Sequence, residues 1–362
     1  MSEADRPTLR ETPLCERLQG GAVRCLVCER RCFLRPGQVG FCRTRVNLEG
    51  RLQTTVYGAL SAMESRPIEV KPFYHFWPGS SAATISTWGC NFRCPWCQNW
   101  HISQVDPPAS PSYVPPEDVV KAALAWGDEG VCVSFNEPTM LLEYSLDLFR
   151  LARERGLYCT YVSNGYMTRE ALEALVDAGL DGLKIDIKGG ELAYAKYAPG
   201  ADWRVPWRNA ELALERGVHV ELVYLLIPGV NDGEDDVRTV ARLAARLGEG
   251  NVPLHFTRYF PAHRFNAPPT PVEALERACE MAREEGVRFA YVGNVPGHRM
   301  ENTYCPECGC LLIKRFGPRV VDVRLEEGRC PLCGAEVPVV GRARPTGSDA
   351  FQKGLRGGGP AR

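Results

Sequence analysis

Cys90, Cys94 and Cys97 fall within eight positions of WGCNFRCPWCQNW (residues 88–100), and no histidine stands among them. Three thiolates cannot complete a tetrahedral zinc site without a fourth ligand. A 4Fe-4S cluster held by three cysteines instead leaves one iron open to a substrate or cofactor. The catalytic candidates are therefore these three thiols, as ligands of an accessible iron. The plainer alternatives are a zinc site that borrows a distant ligand, or buried thiols.

Two further cysteine groups need a different explanation. Cys25, Cys28, Cys32 and Cys42 lie in CLVCERRCFLRPGQVGFC (25–42), and four thiols suffice to close either a zinc site or an auxiliary iron-sulfur cluster. Near the C-terminus, CPEC (Cys305, Cys308) and CPLC (Cys330, Cys333) are each followed by glycine, with the strand-like RVVDVRL (319–325) between them. That is a zinc-ribbon pattern in which four thiolates satisfy the metal and leave no position for chemistry. A capping or docking role follows, and Cys310 is a spare thiol.

The rest of the composition narrows the class. A chain of 362 residues carries a prior of roughly two domains at about 150 residues each. Lys+Arg at 43 against Asp+Glu at 44 gives a formal charge of −1, so no global footprint for nucleic acid or an anionic membrane exists. The N-terminal stretch is polar and acidic rather than an apolar secretory segment, and no run approaches the roughly 18 apolar residues of a membrane span. These features predict a cytoplasmic protein without a membrane partner. Thiols stay reduced there, so sixteen cysteines point to metal rather than disulfides.

Elements that could hold the first loop in place follow in alternation. Short runs rich in β-branched and aromatic residues occupy 83–89, 130–135, 157–162, 181–187, 219–227, 252–260 and 287–293. Helical patterns lie between them, among them 116–129, 168–179 and 232–248, the last with Asp232 as its expected N-cap. Successive strand-helix-strand steps predict an α/β fold with a parallel sheet curling towards a barrel. Catalytic groups in such folds sit after the strands, which is where Cys90 stands.

C-x3-C-x2-C after the first strand, with the aromatic Trp96 before the last cysteine, resembles the radical S-adenosylmethionine (SAM) superfamily. The resemblance implies SAM bound at the open iron through its amino and carboxylate groups. It also implies roles for the later strand ends. SFNEPT is similar to the family's Gly-Gly-Glu element: Glu137 matches the acid, while Phe135 and Asn136 replace both glycines, as in the NEP form of activating enzymes. VSNGY offers Ser163 and Asn164 to ribose or carboxylate. KIDIKG resembles the activases' Leu-Asp-Leu-Lys, and Lys184, Asp186 and Lys188 alternate onto one face, as ligands of the cofactor or as a salt-bridged rim. His255, near the sixth strand's end, matches an adenine-contacting position, and Arg258 is expected to face substrate. Glu69, Lys71 and His75 in PIEVKPFYHFWPG (67–79) either line the mouth or cover the barrel.

Over nearly its whole length the chain resembles the radical SAM enzymes of the AmmeMemoRadiSam system, homologues of pyruvate formate-lyase activating enzyme. CLVCERRC, GFCRTRVN, KPFYHFWPG, TWGCNFRCPWCQNW, FNEPT, NTYC and the ribbon carry that resemblance. It implies a partial β/α barrel at 81–300, preceded by a Cys-rich segment and connector at 1–80 and followed by a zinc ribbon at 301–341 and a disordered tail at 342–362. The implied cofactors are a 4Fe-4S cluster, SAM and zinc. An electron donor such as flavodoxin or ferredoxin is the implied partner; the resemblance transfers no substrate, and a protein, an RNA and a small molecule all stay open. A glycyl-radical activase acting on a partner protein and a non-catalytic metal-binding scaffold are the alternative readings.

Overall fold

The computed structural model describes residues 7–347. Its centre is an eight-stranded sheet whose strands follow chain order: β1 (Ala62–Pro67), β2 (Ser81–Ser86), β3 (Gly130–Val133), β4 (Tyr158–Ser163), β5 (Gly182–Ile187), β6 (His219–Leu226), β7 (Leu254–Arg258) and β8 (Ala290–Gly293). From β2 to β8 every pairing is parallel. β1 and β8 are the two edges of this sheet, so the barrel is partial. β1 itself pairs antiparallel with β2, and no pattern in its AMESRP sequence announces a strand.

Alternation along each strand sorts the two faces. Leu183, Ile185 and Ile187 of β5 join the core formed with Leu172 and Leu175 of the helix Arg169–Ala178, while Lys184 and Asp186 take the other face. That helix starts where its sequence says: the Thr168 hydroxyl accepts a hydrogen bond from Ala171 N at 3.1 Å. The helix Glu234–Arg246 does not. Gly233 is its N-cap, because Asp232 is engaged one turn earlier, accepting from Gly229 N at 2.8 Å to close the Pro-Gly turn.

The connector at 67–79 covers the end of the barrel where the strands begin. Phe73 and Phe76 pack on Ala82, Cys132 and Tyr158, and Tyr74 N and His75 N each donate to Glu221 Oε1 at 2.8 Å. Glu69 accepts from Gly79 N at 2.7 Å, and His75 Nε2 lies 2.6 Å from Tyr291 Oη. These two residues cover the barrel rather than line its mouth. Lys71 reaches further, its ammonium 4.0 Å from the centre of the Phe135 ring.

Two small antiparallel sheets precede the barrel, and a buried Arg45–Glu143 ion pair ties one of them to it. The C-terminal ribbon is a three-stranded sheet (Thr303–Tyr304, Leu311–Phe316, Arg319–Val323) that buries Leu312, Ile313 and Val320 against Tyr74, Phe289 and Tyr291. The first residues of the expected disordered tail are bonded: Arg344 N donates to Pro78 O at 3.0 Å and Thr346 N to Val320 O at 2.9 Å. From 348 onward the tail lies outside the described residues. Among the described residues no helix is long and apolar enough to cross a membrane.

Candidate active site

β2 ends at Ser86, and the cysteine loop begins immediately beyond it. Gly89 opens that loop at φ +79°, and a Cβ there would stand 2.4 Å from Cys42 O, so both backbone conformation and space require glycine. Asn136 then holds the loop from the next strand end: its Nδ2 donates to Gly89 O at 2.9 Å and its Oδ1 accepts from Thr87 N at 3.3 Å. Both ends of this amide are engaged with backbone, so Asn136 positions the thiols. Phe92 N donates to Cys90 Sγ at 3.3 Å, and Cys97 Sγ lies 3.2 Å from Ser103 Oγ. Burial pushes the Cys90 and Cys94 thiols up. Metal ligation takes thiolates, so loading this loop releases protons.

Glu137 ties its own strand end to the next one. Its carboxylate accepts from Asn164 N at 2.9 Å, from Ser163 Oγ at 2.8 Å, and from both the backbone and the hydroxyl of Thr139. Burial raises the carboxyl pKa, and these donors counter only part of that rise. The circuit closes on the cysteine loop, where Asn164 Nδ2 donates to Asn91 Oδ1 at 2.7 Å and stands 4.0 Å from Cys90 Sγ. Phe135, at φ +69°, takes the left-handed conformation that the family's glycine would take without strain, and Asn99 Nδ2 donates to its carbonyl at 2.6 Å. Asn91 and Asn99 escaped the sequence reading. Both sit within or beside the cysteine motif, but their partners come from later strands.

The remaining expected residues divide. Asp186 is flanked by Lys184 and by Lys188 Nζ at 3.5 Å. Burial alone would raise its carboxyl, but the two ammonium groups prevail and hold it below the usual range. Trp96 is buried and meets Tyr197 and Phe265 edge-on, at ring-centre distances of 4.9 and 5.6 Å. His255 does not join this group. Its Nε2 lies 2.7 Å from Glu221 Oε2, it stacks on Tyr291, and it meets Tyr74 of the connector at 4.7 Å. An adenine contact is unavailable to a ring so enclosed. Arg258 Nε donates to Thr270 O at 2.9 Å.

Three thiols from one loop, with a fixed carboxylate behind them, suit a 4Fe-4S cluster with one open iron better than a closed tetrahedral ion. At the ribbon the donor set differs. Cys305, Cys308, Cys330 and Cys333 bring four sulfurs within 4.8 Å of one another, a group that could hold a metal ion.

Residues 84–244 match the sequence profile of the Radical SAM superfamily. The chain is 38% identical over 336 residues to uncharacterized protein MJ0808 of Methanocaldococcus jannaschii, spanning 92% of this chain and 100% of that protein. It is 28% identical over 163 residues to the pyruvate formate-lyase-activating enzyme of Streptococcus mutans, spanning 41% of this chain and 60% of the relative. PqqA peptide cyclase of Methylobacterium nodulans is also 28% identical, over 177 residues covering 47% of this chain and 45% of its own. The superfamily match implies a 4Fe-4S cluster and SAM. With its cysteine loop inside the matched segment and a relative aligned from end to end, the chain belongs to the radical SAM superfamily.

Proposed function

We propose that this chain is a radical SAM enzyme whose Cys90, Cys94 and Cys97 hold the 4Fe-4S cluster, and that it removes a hydrogen atom from a polypeptide substrate. When bound, the reduced cluster and SAM supply methionine and a 5′-deoxyadenosyl radical. The observation that carries the reading is the bonded circuit from Cys90 through Asn91 and Asn164 to Glu137, with Ser163 on the same carboxylate. It fixes the thiols relative to an acid that would meet the methionyl end of SAM. Asn136 sets the height of the loop, and Asp186 with its two lysines supplies a polar wall. The Phe73–Phe76 cover excludes water from the opposite end.

A polypeptide substrate is supported by the relatives' names, one an enzyme-activating enzyme and the other a peptide cyclase. Activation of a glycyl-radical partner is one form of this chemistry, favoured by the FNEPT element. A one-electron donor of the flavodoxin or ferredoxin class would reduce the cluster, and zinc would occupy the ribbon. The test is uncoupled turnover. Reduced, cluster-loaded protein is expected to release 5′-deoxyadenosine slowly from SAM without added substrate, and loaded protein that never does so overturns the proposal.

A further inference from the structure

The four N-terminal cysteines are not arranged like those of the ribbon. Cys25, Cys28, Cys32 and Cys42 line one small cavity, together with Arg30, Gly40, Phe41, Arg45 and Asn91. Cys25 leaves a short strand and Cys32 returns to it, Cys25 N donating to Cys32 O at 3.0 Å, while Cys42 arrives on a separate loop. A tetrahedral zinc with Zn–S near 2.3 Å sets its sulfurs about 3.8 Å apart. The ribbon meets that spacing, with Cys305–Cys333 and Cys308–Cys330 sulfurs each 3.6 Å apart. Among the described residues the ribbon quartet is the only group of three or more Cys, His, Asp or Glu ligand atoms drawn within 4.8 Å. The N-terminal thiols therefore share a cavity at a wider spacing, and the three of the barrel loop likewise form no such tight group. Thiolates around a cubane bind different irons, and so stand much further apart than those around one ion.

The turns differ in the same sense. In the ribbon, Gly309 N donates to Cys305 O and Gly334 N to Cys330 O, both at 2.9 Å, and both glycines have positive φ. Each knuckle thus wraps tightly around one point. The corresponding position after Cys25 is Glu29, whose N–H bonds Tyr166 O on the barrel instead. Arg31 and Gly37 have positive φ here, and Arg31 N donates to Cys28 O at 3.0 Å, so a turn closes after the second cysteine of this segment rather than after the first.

We infer that Cys25, Cys28, Cys32 and Cys42 hold a second iron-sulfur cluster rather than zinc, directly beside the barrel's cysteine loop. The residue of that loop that stands between the two sets of thiols is Asn91. It lines the cavity, its carbonyl accepts from Arg30 Nε at 2.8 Å, and its side chain stands 3.9 Å from Cys90 Sγ. Arg30 also donates to Pro199 O, so its bonds go to neutral carbonyls and its charge is free to offset an anionic centre. Such proximity suits one-electron exchange between the two sites, with the electron supplied by a low-potential one-electron reductant.

This site does not depend on the reading of Cys90, Cys94 and Cys97, and the experiment separates the two. Full-length protein, reconstituted without oxygen with iron and sulfide, is assayed for iron, labile sulfide and zinc per chain. The inference expects about eight irons and one zinc, since each cubane carries four irons and the ribbon one ion. Cys28→Ala/Cys32→Ala protein should lose about half its iron with zinc unchanged, while its remaining cluster still responds to SAM. Cys90→Ala/Cys94→Ala/Cys97→Ala protein should also lose about half, but the SAM response with it. Wild-type protein with about four irons and two zincs overturns the inference, as does an N-terminal variant that loses zinc in place of iron or loses neither. The wild-type count decides the matter even if a variant fails to fold.

Discussion

At the ribbon, four sulfurs converge on one point from two tight turns, and every thiolate has a partner to share. At the mouth of the barrel, three thiols come from a single loop, with Cys90 facing Asn164, which in turn bonds Glu137, and among the described residues they form no tight four-ligand group. The first arrangement could close a coordination sphere and would then only hold structure together; the second, in the reading proposed above, would leave a position open among polar groups from other strands. Cysteine content alone says little about chemistry. Spacing, and what faces the sulfurs, separates a staple from a reaction centre.

Breaking the open site should have the largest effect. Cys90→Ala/Cys94→Ala/Cys97→Ala protein is expected to lose all SAM cleavage while its ribbon metal stays bound, as read by product chromatography and metal analysis. Persistent cleavage in this variant would move the reaction centre elsewhere. Breaking the closed site is the converse. Replacing Cys305, Cys308, Cys330 and Cys333 by Ala should remove zinc and loosen the packing of Leu312 and Ile313 on Tyr74 and Tyr291, yet keep the barrel's circular dichroism and its cluster. Loss of iron there would erase the distinction between the two regions.

A smaller effect sharpens the open site. Glu137→Ala should lower uncoupled 5′-deoxyadenosine release by roughly one to two decades at limiting SAM. A charge-assisted hydrogen bond is worth about 1.5–3 kcal/mol. Arg258→Ala, which removes a bond to Thr270 O, should leave that rate near wild type. Equal losses in both variants would contradict the division between cofactor and substrate residues.

The smallest effect lies in the cover. Burial pushes the Glu69 carboxyl up to about 7 from its ordinary 4.5, with Arg315 and the Gly79 N–H only partly opposing it. The folded state therefore holds this proton more tightly than the unfolded chain. The resulting stability is fully present below pH 4.5 and is lost as pH rises through about 7. Glu69→Gln keeps the acceptor for Gly79 N and removes the charge. Its melting temperature relative to wild type should rise by a few degrees between pH 5 and pH 8, on the order of 2–4 °C per kcal/mol. A difference that stays flat across this range would mean that Glu69 does not titrate in the fold.

Strand-helix alternation, the cysteine loop and the ribbon were legible because each is a local pattern: a period, a spacing, a turn residue. Asp232 was expected as a cap and is not one, because the Pro-Gly turn competing for its carboxylate is a tertiary detail. β1 escaped because its charged AMESRP sequence has no strand alternation and is held by its pairing with β2. His255 was misplaced for a related reason. A histidine on a strand reads alike whether it faces a cofactor or a buried carboxylate, and Glu221, 34 positions away, decides the outcome. Asn136 matched a motif position, but only the fold shows its amide engaged with the backbone of the cysteine loop.

The most direct test of the open iron is electron paramagnetic resonance of the dithionite-reduced, cluster-loaded protein with and without SAM. SAM bound at the iron that Cys90, Cys94 and Cys97 leave free should change the shape and g-values of the reduced-cluster signal, and the change should be absent when those three cysteines are replaced. A reduced cluster whose signal is identical with and without saturating SAM would contradict the central claim that this site is open to SAM.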